Sequence, residues 1–165
     1  MTAGYKIRRA ELGDREALTR LCMLSKQSNG YDDAFMAQCA DELRVRDSWI
    51  VDDGFWLAAT PDGDLCGCIR LIADPDGTAG EVGTCFVHPN WQGRGVGKAL
   101  FAQLLEAAGE CGITSLGLDS DPDAEPFYEN IGFRKVGRSP SGSIPGRFLP
   151  RMELNLKTVQ SGARG

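Results

Sequence analysis

Glu81–Gly112 reads EVGTCFVHPN, WQGRGVGKAL, FAQLLEAAGE and Cys111-Gly112, and its parts decide the fold. The apolar run Val82–Val87 is short and stops at Pro89, which is the pattern of a strand. After it, Val96, Leu100, Leu104, Ala108 and Cys111 recur at three- and four-residue spacing, one face of a helix, and Gly112 is a C′ stop. Between strand and helix lies Gln92-Gly93-Arg94-Gly95-Val96-Gly97. Three glycines so close together remove the Cβ atoms that would hold a ligand off the main chain. Amides at the start of the helix can then converge on an anion, with the helix dipole behind them. Arg94 and Lys98 add positive charge, so the expected ligand is a phosphate or pyrophosphate.

Two phosphate motifs are excluded by spacing. The dinucleotide fingerprint counted from Gly93 needs glycine where Lys98 stands, and a P-loop needs glycine at Gln92 and Ser or Thr at Ala99. The ordered strand, proline, glycine turn and helix instead resemble the GCN5-related N-acetyltransferase (GNAT) superfamily. Its acyl-CoA motif, Q/R-x-x-G-x-G/A, is matched by Gln92, Gly95 and Gly97. A second match is Ala124-Glu-Pro-Phe127-Tyr128-Glu-Asn-Ile-Gly132-Phe133, which resembles the superfamily's N-x-x-A-x-x-F-Y-x-x-x-G-F, with Asp121 in place of the asparagine.

The chain has 165 residues, enough for one domain with a core, here 1–157, followed by a flexible tail at 158–165. No apolar run approaches a membrane span, and the N-terminus has no signal-peptide core, so the expected home is the cytoplasm without membrane association. Eighteen basic and 23 acidic residues give a net charge of −5 with no basic stripe, which argues against nucleic acid. Six cysteines, without C-x-x-C and with a single histidine, His88, do not make a zinc set. They read as free, mostly buried thiols, with Cys66 and Cys68 on one strand face.

Strands are expected at Tyr5–Arg9, Phe55–Ala59, Leu65–Ile72, Val82–Val87, Ile113–Leu118, Phe133–Val136 and through Met152, Leu154 and Leu156. Trp49–Val51 pairs with Phe55–Ala59 across Asp52-Asp53-Gly54 in this reading, with a polar loop before it at 44–48. One helix starts at an Asp14 N-cap, with Leu18, Leu21, Cys22 and Leu24 as its stripe. Another starts at Asp32 or Asp33, carrying Phe35, Cys39 and Leu43 on one side. A short one runs through Phe127, Tyr128 and Ile131, capped by Asp123 ahead of Asp121, with Pro126 in its first turn. Asp74–Gly77 is a turn, 138–147 a Gly/Ser/Pro loop, and Pro150 an edge or bulge. This is an α/β (α+β) pattern. The resemblance implies a GNAT-like central mixed, mostly antiparallel sheet of six or seven strands, flanked by about four helices.

The resemblance also assigns roles. It implies acetyl-CoA as co-substrate, held by Gln92, Gly93, Arg94, Gly95, Val96, Gly97 and Lys98. The strand before the turn pairs with the pantetheine arm, and a free amide near Phe86 or Val87 is the oxyanion donor. Tyr128 is the general acid beside the thioester sulfur, since a phenol is protonated at neutral pH and a thiolate is a fit recipient. Asp121 occupies a cofactor-contact position, where a carboxylate is less welcoming. The base is open between Glu81, Asp119 and a water relay. By strand alternation Glu81, Gly83 and Cys85 share a face. Ser141, Ser143 and Arg147 either shape the acceptor pocket or simply close a hairpin, and Tyr31 lies in the other acceptor-side region. No metal is implied. The expected activity is acetyl transfer to an amine of a small molecule or peptide. A non-catalytic acyl-CoA-binding regulatory module and a hydroxyl acyltransferase are the alternatives. Dimers are common in the superfamily, so a homodimer is a further expectation.

Overall fold

A computed structural model describes residues 4–75 and 77–156; the tail at 158–165 lies outside the described residues. The strands are β1 (Lys6–Arg9), β2 (Gly54–Ala59), β3 (Leu65–Ala73), β4 (Ala79–Val87), β5 (Ser115–Asp119), β6 (Arg134–Pro140) and β7 (Phe148–Asn155). The helices are α1 (Arg15–Gln27), α2 (Asp33–Leu43), α3 (Asp47–Asp52), α4 (Val96–Glu110) and α5 (Glu125–Ile131). All seven strands form one sheet, in the order β1-β2-β3-β4-β5-β7-β6. Every neighbouring pair is antiparallel except β4 and β5. The expected architecture is present, with five helices among the described residues rather than about four.

The sheet separates two cores. On one face α4 and α5 pack Leu100, Phe101, Leu104 and Tyr128 against Ile69, Leu71, Leu116 and Met152. On the other, α1 and α3 pack Leu18, Leu21, Cys22 and Ile50 against Phe55, Leu57 and Cys68. Helix α4 crosses β3 so closely that a Cβ on Gly67 would lie 3.0 Å from both the Val96 side chain and the Phe86 carbonyl oxygen.

Several local expectations are corrected. Trp49–Val51 is helical, not extended, because α3 begins at Asp47 inside the presumed loop and buries Ile50. Asp14 does not cap α1 with its side chain; a 3-10 turn starts at Leu12, and the Asp14 carboxylate accepts from the Glu11 amide and pairs with Arg8. The buried stripe of α1 continues to Ser25, leaving Leu24 exposed. Asp32 does cap α2, accepting from the Phe35 amide at 2.8 Å. Asp121, not Asp123, occupies the cap position where the chain enters its 3-10 turn before α5, while Pro126 does sit in the first turn of α5. β6 extends through Ser139 and Pro140, so the open loop begins only at Ser141. Pro150 pairs opposite Arg138, and the irregularity lies on β6 at Val136 instead. Cys111 is exposed and Cys85 half-buried, while the other four thiols are buried.

Two further bulges overturn the alternation arguments. β3 skips Cys66 in its pairing with β2, and β4 skips Gly83 in its pairing with β3. An extra residue reverses the facing of everything beyond it. Cys66 therefore faces the α4 core and Cys68 the α1 core. Likewise Cys85 and Val87 face α4, whereas Phe86 faces α1. Glu81 and Gly83 remain on the α1 side, so Glu81 and Cys85 do not share a face.

Candidate active site

β4 and β5 pair only at Ala79–Ser115, Gly80–Leu116 and Glu81–Gly117. Beyond Glu81 they part, and a cavity of about 720 Å³ fills the gap. Its walls include Cys85, Val87, Gln92, Gly93, Gly97 and Tyr128. His88 N–H donates to the Cys66 carbonyl at 2.8 Å. With Gly67 registered on Val87, that bond makes Val87 and Cys85 the residues whose main-chain groups point away from β3. The free edge toward the gap is thus built by Cys85 and Val87, while the main-chain groups of Phe86 turn to β3. The Val87 carbonyl already accepts from Ser25 Oγ at 2.8 Å and from Gln92 Nε2 at 3.4 Å.

The glycine turn forms one end of this cavity. Gly93 and Gly95 have φ of +75° and +85°, and a Cβ on either would meet nothing within 4 Å. They leave an open concavity that only glycine leaves unstrained. The first bond of α4 runs from the Ala99 amide to the Gly95 carbonyl at 3.0 Å. The amides of Val96, Gly97 and Lys98 have no partner inside the helix and point out of its N-terminus. Arg94 folds back over the Trp91 ring at 4.2 Å and bonds the Asn90 carbonyl, so the glycine turn is left with Lys98 as its cation on the cavity wall. A pyrophosphate-bearing ligand fits this set of donors. His88 serves the same turn structurally: its Nδ1 accepts from the Asn90 amide at 3.0 Å.

Tyr128 is 7% exposed. Phe101, Phe127 and Phe133 surround its ring at 5.3–5.9 Å between centroids. Burial raises its pKa well above that of a free phenol, and the adjoining Cys85 thiol adds to the effect. The Cys85 thiol is pushed up to about 12, mainly by burial. At neutral pH both are therefore neutral, and the phenol keeps its proton.

Glu81 stands at the fork where the strands part. Arg151 on β7 grips both its oxygens, one through Nη1 at 3.0 Å, and the same Nη1 reaches Asp119 at 3.3 Å. The Glu81 contact, chiefly through its hydrogen bond, raises the Arg151 pKa further. Both base candidates are thus brought together by one arginine that the sequence reading did not single out. The strand alternation of Arg151 against Met152 and Leu154 is the signal that places it on the cavity side.

Asp121 anchors a second cluster. Its carboxylate accepts from the Tyr31 hydroxyl, from Lys26 Nζ at 3.1 Å and from Arg147 Nη2 at 3.2 Å. Arg147 also bonds the Tyr31 hydroxyl at 2.7 Å, and Tyr31 stacks on Phe35 at 4.1 Å. Burial works to raise the Asp121 pKa, but Tyr31, Lys26 and Arg147 together outweigh it and hold it low. Tyr31 rises to about 12, first through burial and then through Asp121. Asp121, Tyr31 and Arg147, expected in different roles, therefore meet in one network, joined by Lys26. Ser141 turns inward to accept from the Ser143 and Ile144 amides and closes the loop on itself, while Ser143 bonds Cys39 Sγ at 3.5 Å and ties the loop to α2. Among the described residues no group of acids, histidines and cysteines is placed to hold a metal, and no helix is long and apolar enough to cross a membrane.

Comparison with known proteins agrees with this geometry. The family described as Acetyltransferase (GNAT) family matches residues 21–133. Glucosamine 6-phosphate N-acetyltransferase of Trypanosoma brucei brucei is 35% identical over 79 residues, which is 45% of this chain and 54% of that protein. Mycothiol acetyltransferase of Beutenbergia cavernae is 31% identical over 115 residues, 66% of this chain and 38% of that protein. The chain thus spans about half, or less, of the length of these curated relatives. In fold it is similar to the PaiA N-acetyltransferase of Thermoplasma acidophilum, solved in complex with coenzyme A, with a TM-score of 0.75 at 20% identity, covering 92% of this chain and 98% of that one.

Proposed function

The chain belongs to the acetyltransferase (GNAT) family, and from that premise we propose that it transfers an acetyl group from acetyl-CoA directly to an amine. The observation that carries the reading is the gap between β4 and β5, which has a pyrophosphate cradle at one end and a buried, protonated phenol on its wall. Acetyl-CoA supplies the activated acyl carbon and the thiolate leaving group. The amides of Val96, Gly97 and Lys98 bind the pyrophosphate, and the Cys85 and Val87 main chain aligns the pantetheine arm along the free edge of β4. One of the two free amides on this edge, that of Cys85 or Val87, holds the acyl oxygen as it gains charge. Tyr128 gives its proton to the departing sulfur. Glu81 and Asp119, held as a pair by Arg151, take the proton that the acceptor amine must lose. Asp121 is occupied by Lys26, Tyr31 and Arg147, so its part is to fasten the acceptor side rather than to contact the cofactor. A cytoplasmic location is proposed on composition alone.

The test is calorimetric titration of coenzyme A, combined with release of free thiol from acetyl-CoA across a panel of amines and alcohols. Binding with amine-dependent thiol release is the expected result. Binding without turnover on any acceptor would favour a regulatory module, and no binding would overturn the reading altogether.

A further inference from the structure

The α1-side half of the cavity differs in character from the cofactor half. Its apolar walls are Leu43, Trp49, Phe86, Pro140 and Leu149, and the acidic side chains on the cavity wall outside the Asp121 cluster are Glu42, Glu81, Asp119 and Asp123. Each cation bordering it is already engaged. Arg70, 8% exposed, bonds Asp53 at 3.0 Å and Thr84 Oγ1 at 3.3 Å and lies 3.8 Å from the Trp49 ring centroid. Arg151 is shared by two carboxylates, Glu81 and Asp119. Lys26 and Arg147 share Asp121, and their one excess positive charge is spread over the faces of Tyr31 and Phe35. The carboxylate of Glu42 stands apart: Arg44 and Arg46 beside it turn to Asp41, and among the described residues no Lys or Arg pairs with it. The loop after β6 passes beside it, with Gly142 so near that a Cβ there would lie 3.4 Å from Glu42 Oε1.

On the acetyl-transfer reading given above, we propose that the acceptor is a primary amine on an apolar body that carries a second cationic group, and that Glu42 receives that second cation. A carboxylate or phosphate on the acceptor finds no uncommitted cation in this compartment. An apolar segment finds Trp49, Phe86 and Leu149, and a second ammonium finds the unpaired carboxylate of Glu42 beside them. The acceptor therefore differs in charge from glucosamine 6-phosphate, the substrate in the name of the trypanosomal relative.

Three five-carbon amines separate the charge classes: cadaverine, pentylamine and δ-aminovalerate, assayed for thiol release at saturating acetyl-CoA. Cadaverine is expected to exceed pentylamine in kcat/KM by about threefold to tenfold, the range of a partly exposed ion pair, with δ-aminovalerate the poorest. Glu42→Gln is expected to bring the cadaverine-to-pentylamine ratio close to one. Glu42 is exposed on a helix surface, and an unchanged Tm would separate this effect from misfolding. Preference for δ-aminovalerate, or an equal fall on all three amines in Glu42→Gln, overturns the acceptor assignment while leaving acetyl transfer standing. Turnover of other amines but none of these three overturns it as well. Absence of thiol release with every amine instead removes the transferase reading beneath it.

Discussion

Tyr128 and Asp121 show how the same burial serves opposite ends. Around Tyr128 there is no countercharge, so burial keeps the phenol neutral and able to donate. Tyr128→Phe retains the ring that Phe101, Phe127 and Phe133 enclose, so its Tm should scarcely move. Its kcat should fall roughly 10- to 100-fold, within the range for a lost general acid, with KM for acetyl-CoA little changed; steady-state kinetics at saturating amine decide this. Around Asp121 two cations and a phenol more than offset burial and depress the carboxyl. A depressed carboxyl contributes stability that is complete above its unfolded value, about 4, and is lost as pH falls through its folded value. Asp121→Asn leaves Lys26 and Arg147 without their counter-ion and should lower stability at pH 7 by about 2 kcal/mol, less than for a fully buried pair because the side chains of Lys26 and Asp121 keep 13% and 12% of their surface exposed. Denaturant melts of both proteins from pH 7 to pH 3 should show the gap narrowing as pH falls below about 4, where the unfolded carboxyl takes up its proton while the native one, held lower, stays ionised.

At the scale of strands and helices, the bulge at Gly83 sets which wall each side chain lines. A Cβ there would sit 2.5 Å from Arg70 Nη2 and 2.7 Å from Ile72 Cδ1. Arg70 is tied to Asp53, Thr84 and Trp49 and cannot swing aside as a free side chain would. Gly83→Ala should therefore lower stability by about 1–3 kcal/mol, as overpacking does, read as a fall in the urea midpoint at constant m. The glycine turn, the α4 stripe and the cap at Asp32 were legible because each depends on residues a few positions apart. The facing of Cys85 was not legible, since an extra residue in a strand is defined by its partner strand and leaves no mark on local alternation. α3 was hidden for a related reason: six residues, Asp47–Asp52, carry less than two turns of periodicity, and the burial of Ile50 decides them. Arg151 and Lys26 escaped notice because their partners lie 70 and 95 residues away in sequence.

In the whole molecule, the sheet consists of two antiparallel ribbons, β1–β4 and β5–β7, joined along three register positions. A ligand lying in the gap touches both. Acetyl-CoA at a hundredfold excess over its Kd should add about 2.7 kcal/mol, or a Tm gain of roughly 5–10 °C for a chain of this size, measured by scanning calorimetry. Loss of most of that gain in a Gly95→Ala variant, whose φ of +85° disfavours a side chain, would tie it to the α4 cradle.

So short a seam bears on how the polypeptide can be divided. Nearly all main-chain pairing of each ribbon is internal to it, and what joins them is chiefly side-chain burial under α4, where Ile113, Leu116 and Met152 meet Leu104 and Ala108. A nick beside Gly112, a surface turn with φ of +78°, severs neither ribbon. The two fragments, made separately, would retain matching greasy faces and reassociate, with the co-substrate acting as the glue between them.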